Sequence, residues 1–175
     1  MDEQSIAYVL MGYPRMSELF IASEIARMEE QGTRLRLLVL KPSDEQQHHP
    51  VVDRIKAHPM YLQDRSFLRW LRENLPEAFG PIRRVALRHP LRLARITGWA
   101  AAQAWRDRRG WRPRAVYVKE WMRATAVADE LSRGDRVTHL HAHFAHRTTT
   151  VTWWAAHLLN LPFSFTGHAK DIYQP

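Results

Sequence analysis

Residues 6–40 read IAYVLMGYPRMSELFIASEIARMEEQGTRLRLLVL, and this segment sets the expected class of fold. Its first six residues are an apolar run that ends at Gly12-Tyr-Pro14, which is typical of a buried strand entering a turn. Apolar residues at helical spacing, followed by Gly32 as a left-handed C-cap, predict an amphipathic helix over residues 18–31. Residues 35–40 predict a second strand, and a strand, helix and strand of these lengths form a parallel crossover.

The alternation of strands and helices continues to the end of the chain. The predicted elements are an edge strand (60–62), a helical segment broken at Pro76, Pro81 and Pro90 (67–105), a helix to about Leu131, a strand (137–144), a helix (148–159) and a last strand (161–166). We therefore predict one α/β domain over residues 1–175, with a Rossmann-like, doubly wound and mainly parallel sheet.

The composition excludes several classes of protein. With no Cys, the chain has neither disulfides, nor a Cys-based zinc site, nor a thiol nucleophile. Its start is acidic and its first apolar run is short, unlike a signal peptide, and no apolar run has the length of a membrane span. These features predict a cytoplasmic protein.

Basic residues are concentrated in the middle of the chain. Thirteen arginines lie between Arg65 and Arg114 against three acidic residues, whereas the whole chain has a net charge of +8. Such a region suits phosphates of nucleic acid, of anionic lipid or of a pyrophosphate-linked substrate, or it simply solvates the outer faces of helices. Because no nucleic-acid-binding motif is recognisable, we expect no nucleic-acid partner. Instead, we expect contact between Arg83 to Arg114 and the inner face of a membrane.

Polar side chains follow three of the predicted strands. The three segments are residues 12–18, residues 143–147 and residues 166–171. Because parallel strands end at the same edge of a sheet, we expect these segments to line one cleft. The first segment contains neither a Gly-x-Gly-x-x-Gly fingerprint nor a Walker loop, so no classical nicotinamide or ATP site is expected.

Three histidines alternate along the penultimate strand, at His139, His141 and His143. Side chains two residues apart share one face of a strand, and three imidazoles on one face are a possible zinc site. Since no Asp or Glu is nearby in the sequence, we expect no metal. We expect His139 and His141 to be packed inside, bonded to backbone, and His143 to reach the cleft.

The last segment holds the strongest single candidate, His168. It follows Gly167, which permits a tight turn and close approach of a ligand to the backbone. The alternative is that His168 caps the next helix or bonds to Asp171. Lys170 and Asp171 are weaker candidates, because such pairs are often solvated helix caps.

Three segments resemble the N-terminal domain of the GT-B fold glycosyltransferases of family 4, particularly those of exopolysaccharide and colanic-acid synthesis. They are GYPRMSELFIASEI (12–25), HLHAHFA (139–145) and PFSFTGHAKDIY (162–173). The resemblance implies a retaining enzyme that moves a sugar from a nucleotide sugar to a glycan or lipid-linked acceptor, without a metal or other cofactor.

The resemblance also implies roles for individual residues. His168 would contact the transferred sugar and be the catalytic residue, while Gly12 and Tyr13 would face the donor phosphates. The acceptor cleft would include Arg15, His143, Lys170 and Asp171. The family's C-terminal donor-binding domain is not recognisable in this sequence. We therefore expect this chain to be inactive alone, and to pair with a donor domain or to self-associate. The alternative is a non-catalytic module that binds a polysaccharide or a protein partner.

Overall fold

A computed structural model describes residues 5–45, 47–62, 75–107, 110–169 and 171. The described residues form a five-stranded, all-parallel sheet that is flanked by helices. This confirms the predicted α/β, Rossmann-like class. The elements are β1 (Ser5–Leu10), α1 (Leu19–Glu30), β2 (Arg34–Val39), β3 (Pro59–Tyr61), α2 (Leu75–Arg88), α3 (Pro90–Arg106), α4 (Trp111–Leu131), β4 (Val137–His143), α5 (Arg147–Leu159) and β5 (Phe163–Thr166).

The order of strands across the sheet is β3-β2-β1-β4-β5. From β1 the chain first moves outward through β2 to β3, and it then returns to place β4 on the other side of β1. The point of reversal therefore lies between β1 and β4. In open α/β sheets, ligands bind outside the carboxyl ends of the strands at such a point.

The boundaries of the elements follow the sequence pattern closely, with one error. Pro90 begins α3, as predicted, but Pro81 lies inside α2 and does not break it. A proline removes one backbone hydrogen bond, and here the second half of the helix is held by tertiary contacts. Val85 is buried, and Arg84 bonds to Asp129 of α4. The predicted helical start near Phe67 lies outside the described residues.

The two faces of the sheet are covered unequally. One face packs against α1, whose buried residues include Ile21 and Ile25. The other face packs against helices that contribute Ile96, Val127 and Trp154 to a larger core. On the α1 side, β4 and β5 carry partly exposed polar side chains at positions 139, 141, 164 and 166. In the part of the chain described, no helix combines the length and apolar character needed to cross a bilayer.

Candidate functional site

Two of the polar segments, residues 143–147 and 166–171, meet at the carboxyl edge of the sheet beside the point of reversal, and Phe20, two residues after the segment 12–18, lies against them. The backbone N–H of Phe144, just after β4, donates to the carbonyl oxygen of Thr166 at the end of β5 (2.9 Å). At the start of α1, the ring of Phe20 lies 4.4 Å from the ring of His168, between centroids. Residues separated by more than a hundred positions in sequence thus form one site, as parallel strands predict.

His143 and His168 form the centre of this site. Nδ1 of His143 lies 3.0 Å from Nε2 of His168, and the two rings are stacked with centroids 5.3 Å apart. The prediction that His143 reaches the cleft is wrong, because its side chain is only 1% exposed. His168 is half-buried, and its ring stacks on the ring of His143.

Two phenylalanines hold the His168 ring in place. Phe20 packs at 4.4 Å and Phe144 at 4.6 Å between centroids. Phe144 adopts a left-handed backbone conformation, with φ of 71°, that is unfavourable for a bulky residue and recurs at functional sites. Its carbonyl oxygen accepts a hydrogen bond from the hydroxyl of Thr149 (2.6 Å). Neither aromatic contact was predicted, since both depend on tertiary packing.

The other two histidines of β4 bind a side chain rather than backbone. His139 Nε2 and His141 Nδ1 lie 2.7 and 2.8 Å from the hydroxyl oxygen of Ser164 on β5. The expected backbone partners are therefore replaced by two hydroxyls: that of Ser164, which accepts from one ring and donates to the other, and that of Thr166, which lies 3.2 Å from Nε2 of His141. This pairing fixes the orientation of both imidazoles.

Glu24 is the residue that sequence reasoning missed. It lies on α1, and its Oε1 accepts a hydrogen bond from the hydroxyl of Tyr8 (2.7 Å). The same oxygen lies 3.8 Å from Nε2 of His141 and 3.7 Å from Nε2 of His143. A signal was available, because Glu24 follows Phe20 by four residues and so shares its helix face.

Burial shapes the protonation of this cluster. Burial lowers the pKa of His143 to about 4, although the Glu24 carboxylate acts in the opposite direction. Burial likewise lowers the pKa of His141. On Tyr8, burial and the hydrogen bond to Glu24 both raise the pKa of the phenol. Both imidazoles are therefore kept neutral at physiological pH and have lone pairs to offer.

The side chain of Tyr13 is not available to donor phosphates. It is 4% exposed, and burial followed by the charge of Glu29 raises its pKa to about 12. Its carbonyl oxygen accepts from the hydroxyl of Tyr61 (3.1 Å). Gly12 has no positive φ, and a Cβ there would make ordinary contact with Arg15 at 3.7 Å. Any role of these two residues in phosphate binding therefore rests on their backbone.

Acidic side chains already engage two groups of the loop after β1, which comprises residues 12–18. Nη1 of Arg15 is paired with Oε1 of Glu18 at 2.8 Å. The backbone N–H of Met16 donates to the carboxylate of Glu45 at 2.5 Å. A phosphate at this loop would have to displace one of these carboxylates.

Asp171 serves the loop after β5 as a cap. Its carboxylate accepts from the backbone N–H of His168 at 2.9 Å. Partial burial acts to raise the pKa of Asp171, but hydrogen bonds from the backbone N–H groups of His168 and Ala145 outweigh it and lower that pKa. This contact agrees with the alternative considered from the sequence in which His168 bonds to Asp171. Lys170 lies outside the described residues.

Gly167 provides a test of how this loop is used. Its φ is not positive, and a Cβ built there would meet nothing within 4 Å, so the predicted tight turn does not require glycine. We expect Gly167→Ala to leave the free energy of unfolding unchanged or to raise it by up to about 1 kcal/mol, measured by denaturant titration. Gly32→Ala, at a φ of 83°, should lower it by roughly 1 kcal/mol. Equal losses in both variants would contradict this account of the loop.

The site lies at the carboxyl edge of the sheet, which is where Rossmann-like α/β proteins bind their ligands. Comparison of the chain with protein-family models, with curated proteins and with solved structures finds no match.

Proposed function

We propose that this chain is the acceptor-side half of a retaining glycosyltransferase. The enzyme moves a sugar from a nucleotide sugar to a glycan or lipid-linked acceptor in cell-envelope or exopolysaccharide synthesis. The observation that carries this proposal is the pair of His143 and His168, 3.0 Å apart at the point where the sheet reverses. Phe20, His143 and His168 each lie in one of the three segments that carry the family resemblance.

The site has the chemistry that sugar recognition needs. When His143 donates from Nδ1 to Nε2 of His168, the second ring nitrogen of His168 is left to face a ligand. One fixed imidazole nitrogen beside aromatic rings fits a sugar, which offers hydroxyl groups and apolar C–H faces. Phe20, 43% exposed, supplies such a ring at the mouth of the site.

The membrane contact proposed for Arg83 to Arg114 involves only part of that region. Three of its described arginines hold the fold together. Arg84 binds the buried carboxylate of Asp129, while Arg92 and Arg114 donate to the carbonyl oxygens of Leu158 and Asp107. Exposed arginines such as Arg83 and Arg106 are the ones proposed to meet anionic lipid.

The function is tested with the complete product of the gene, whatever its length, beside residues 1–175. Each protein is titrated calorimetrically with UDP-sugars and GDP-sugars and is assayed for transfer to glycan acceptors. Where the complete product includes a donor-binding domain, we expect it to bind donor and transfer sugar, and we expect residues 1–175 alone to do neither, because donor and acceptor react in a cleft between two domains. If the complete product binds no nucleotide sugar, and glycan binding survives His168→Ala, the chain is a non-catalytic glycan-binding module instead.

A further inference from the structure

We propose that Glu24, His141 and His143 form a zinc site on the α1 side of the sheet. Each side chain offers one ligand atom, and these atoms lie within 4.8 Å of one another. Oε1 of Glu24 lies close to Nε2 of both imidazoles, which makes these three the ligand atoms. Two imidazoles and one carboxylate, with an open fourth position, are a common donor set for Zn²⁺. The sequence-based expectation of no metal assumed that no carboxylate was near, and Glu24 removes that assumption.

The spacing of the ligand atoms favours a tetrahedral ion. At the usual metal–ligand distances of about 2.0–2.2 Å, tetrahedral ligand atoms are about 3.3–3.6 Å apart, and octahedral neighbours are closer, at about 3 Å. Oε1 of Glu24 lies 3.8 Å from Nε2 of His141 and 3.7 Å from Nε2 of His143. A shortening of these two distances by about 0.3 Å brings Oε1 of Glu24 to tetrahedral spacing from both nitrogens.

An unpaired nitrogen of His143 favours a cation at this position. Nε2 of His143 is buried, and among the described residues it has no hydrogen-bond partner. When Nδ1 of His143 donates to His168, Nε2 carries a lone pair that faces the carboxylate of Glu24 at 3.7 Å. A lone pair and a carboxylate repel each other, so a cation between them stabilises both.

The groups around the three ligands suit a metal site. Nδ1 of His141 is held by Ser164 (2.8 Å), and Nδ1 of His143 is held by His168 (3.0 Å), as the second nitrogen of a ligating imidazole usually is. The Thr166 hydroxyl, 3.2 Å from Nε2 of His141, turns away from that nitrogen when the ion binds. Tyr8 holds the carboxylate of Glu24, whose side chain is 38% exposed and gives the ion a path from solvent. A cation on His143 would also strengthen its hydrogen bond to His168, so Glu24 and His141 would act as positioning residues.

The test measures zinc uptake by the untagged chain, without donor or acceptor, so its outcome is separate from that of the transferase proposal. Protein stripped with a chelator is titrated with Zn²⁺, and bound metal is counted by mass spectrometry after dialysis. Co²⁺ then reports the coordination geometry by its visible absorption. We expect about one equivalent of zinc, tetrahedral cobalt bands, and affinity lowered at least about tenfold by Glu24→Gln and more by His143→Asn.

Matched controls separate this site from other histidines of the chain. Glu30→Gln changes an exposed carboxylate of the same helix, and His157→Gln changes a half-buried histidine of α5. Both should bind zinc as the wild type does. No uptake by the wild type, unchanged affinity in Glu24→Gln, or an equal loss in His157→Gln would overturn the proposal. If His143→Asn fails to fold, the isosteric change at the partly exposed Glu24 still decides the question.

Discussion

Replacement of His168 by Ala in the complete gene product should lower kcat for sugar transfer by about 10²–10³-fold. The reason is the geometry of the ring, which His143 fixes through one nitrogen and Phe20 and Phe144 hold on its flanks. A positioned donor of this kind acts on the transition state more than on the bound substrate, so the KM for donor should change much less. Steady-state kinetics with the donor found by calorimetry measures both quantities.

Two variants show whether the loss comes from the imidazole itself. His168→Asn keeps a hydrogen-bonding group and should retain more activity than His168→Ala. His58→Ala removes an exposed histidine just before β3, at the opposite edge of the sheet, and should behave as the wild type. A kcat for His168→Ala within about threefold of the wild type, with the fold intact by circular dichroism, would rule out a direct role in transfer.

The fold was predictable because its signals are local. Apolar runs bounded by Gly and Pro mark the strands, and apolar residues at helical spacing mark α1. Gly32 has the positive φ predicted for the residue after a helix. Pro81 is the exception to the rule that proline breaks a helix. The contacts that stabilise α2 after Pro81 come from α4, and the local sequence does not show them.

The position of the site in the fold could be predicted from the sequence, but its side-chain contacts could not. Sequence order identified which strand ends meet, since parallel topology requires it. It could not identify which of His143 and His168 is exposed, because that depends on how Phe20 and Phe144 pack over them. Glu24 was missed for the same reason, since its distance from His143 is set by how α1 lies on the sheet.

Arg123→Met should produce the largest loss of stability, about 3–5 kcal/mol at neutral pH. Arg123 and Glu120 lie on α4 with side chains 4% and 2% exposed, and Nη1 of Arg123 is 3.3 Å from Oε1 of Glu120. Removing the guanidinium leaves a carboxylate that is buried and has lost a positive partner. Urea denaturation at pH 7 measures the loss as a change in the free energy of unfolding.

The loss should also depend on pH, with a definite sign. Burial raises the pKa of Glu120 against the opposing effects of Arg123, Lys119 and Arg147. Without Arg123 that pKa rises further, so folded Glu120 holds a proton that the unfolded chain releases above about pH 4.3. Stability of the variant should therefore fall, relative to the wild type, as the pH rises from that value through the folded-state pKa.

Two comparisons separate the buried charge from the loss of packing. The double variant Glu120→Leu with Arg123→Met removes both charges and should recover most of the stability, because apolar side chains replace a buried ion pair at little cost. Arg54→Met breaks an ion pair with Glu30 in which both side chains are more than half exposed, and should cost less than about 1 kcal/mol. If the double variant is no more stable than Arg123→Met, the stabilisation by Arg123 comes from its packing and not from compensation of a buried carboxylate.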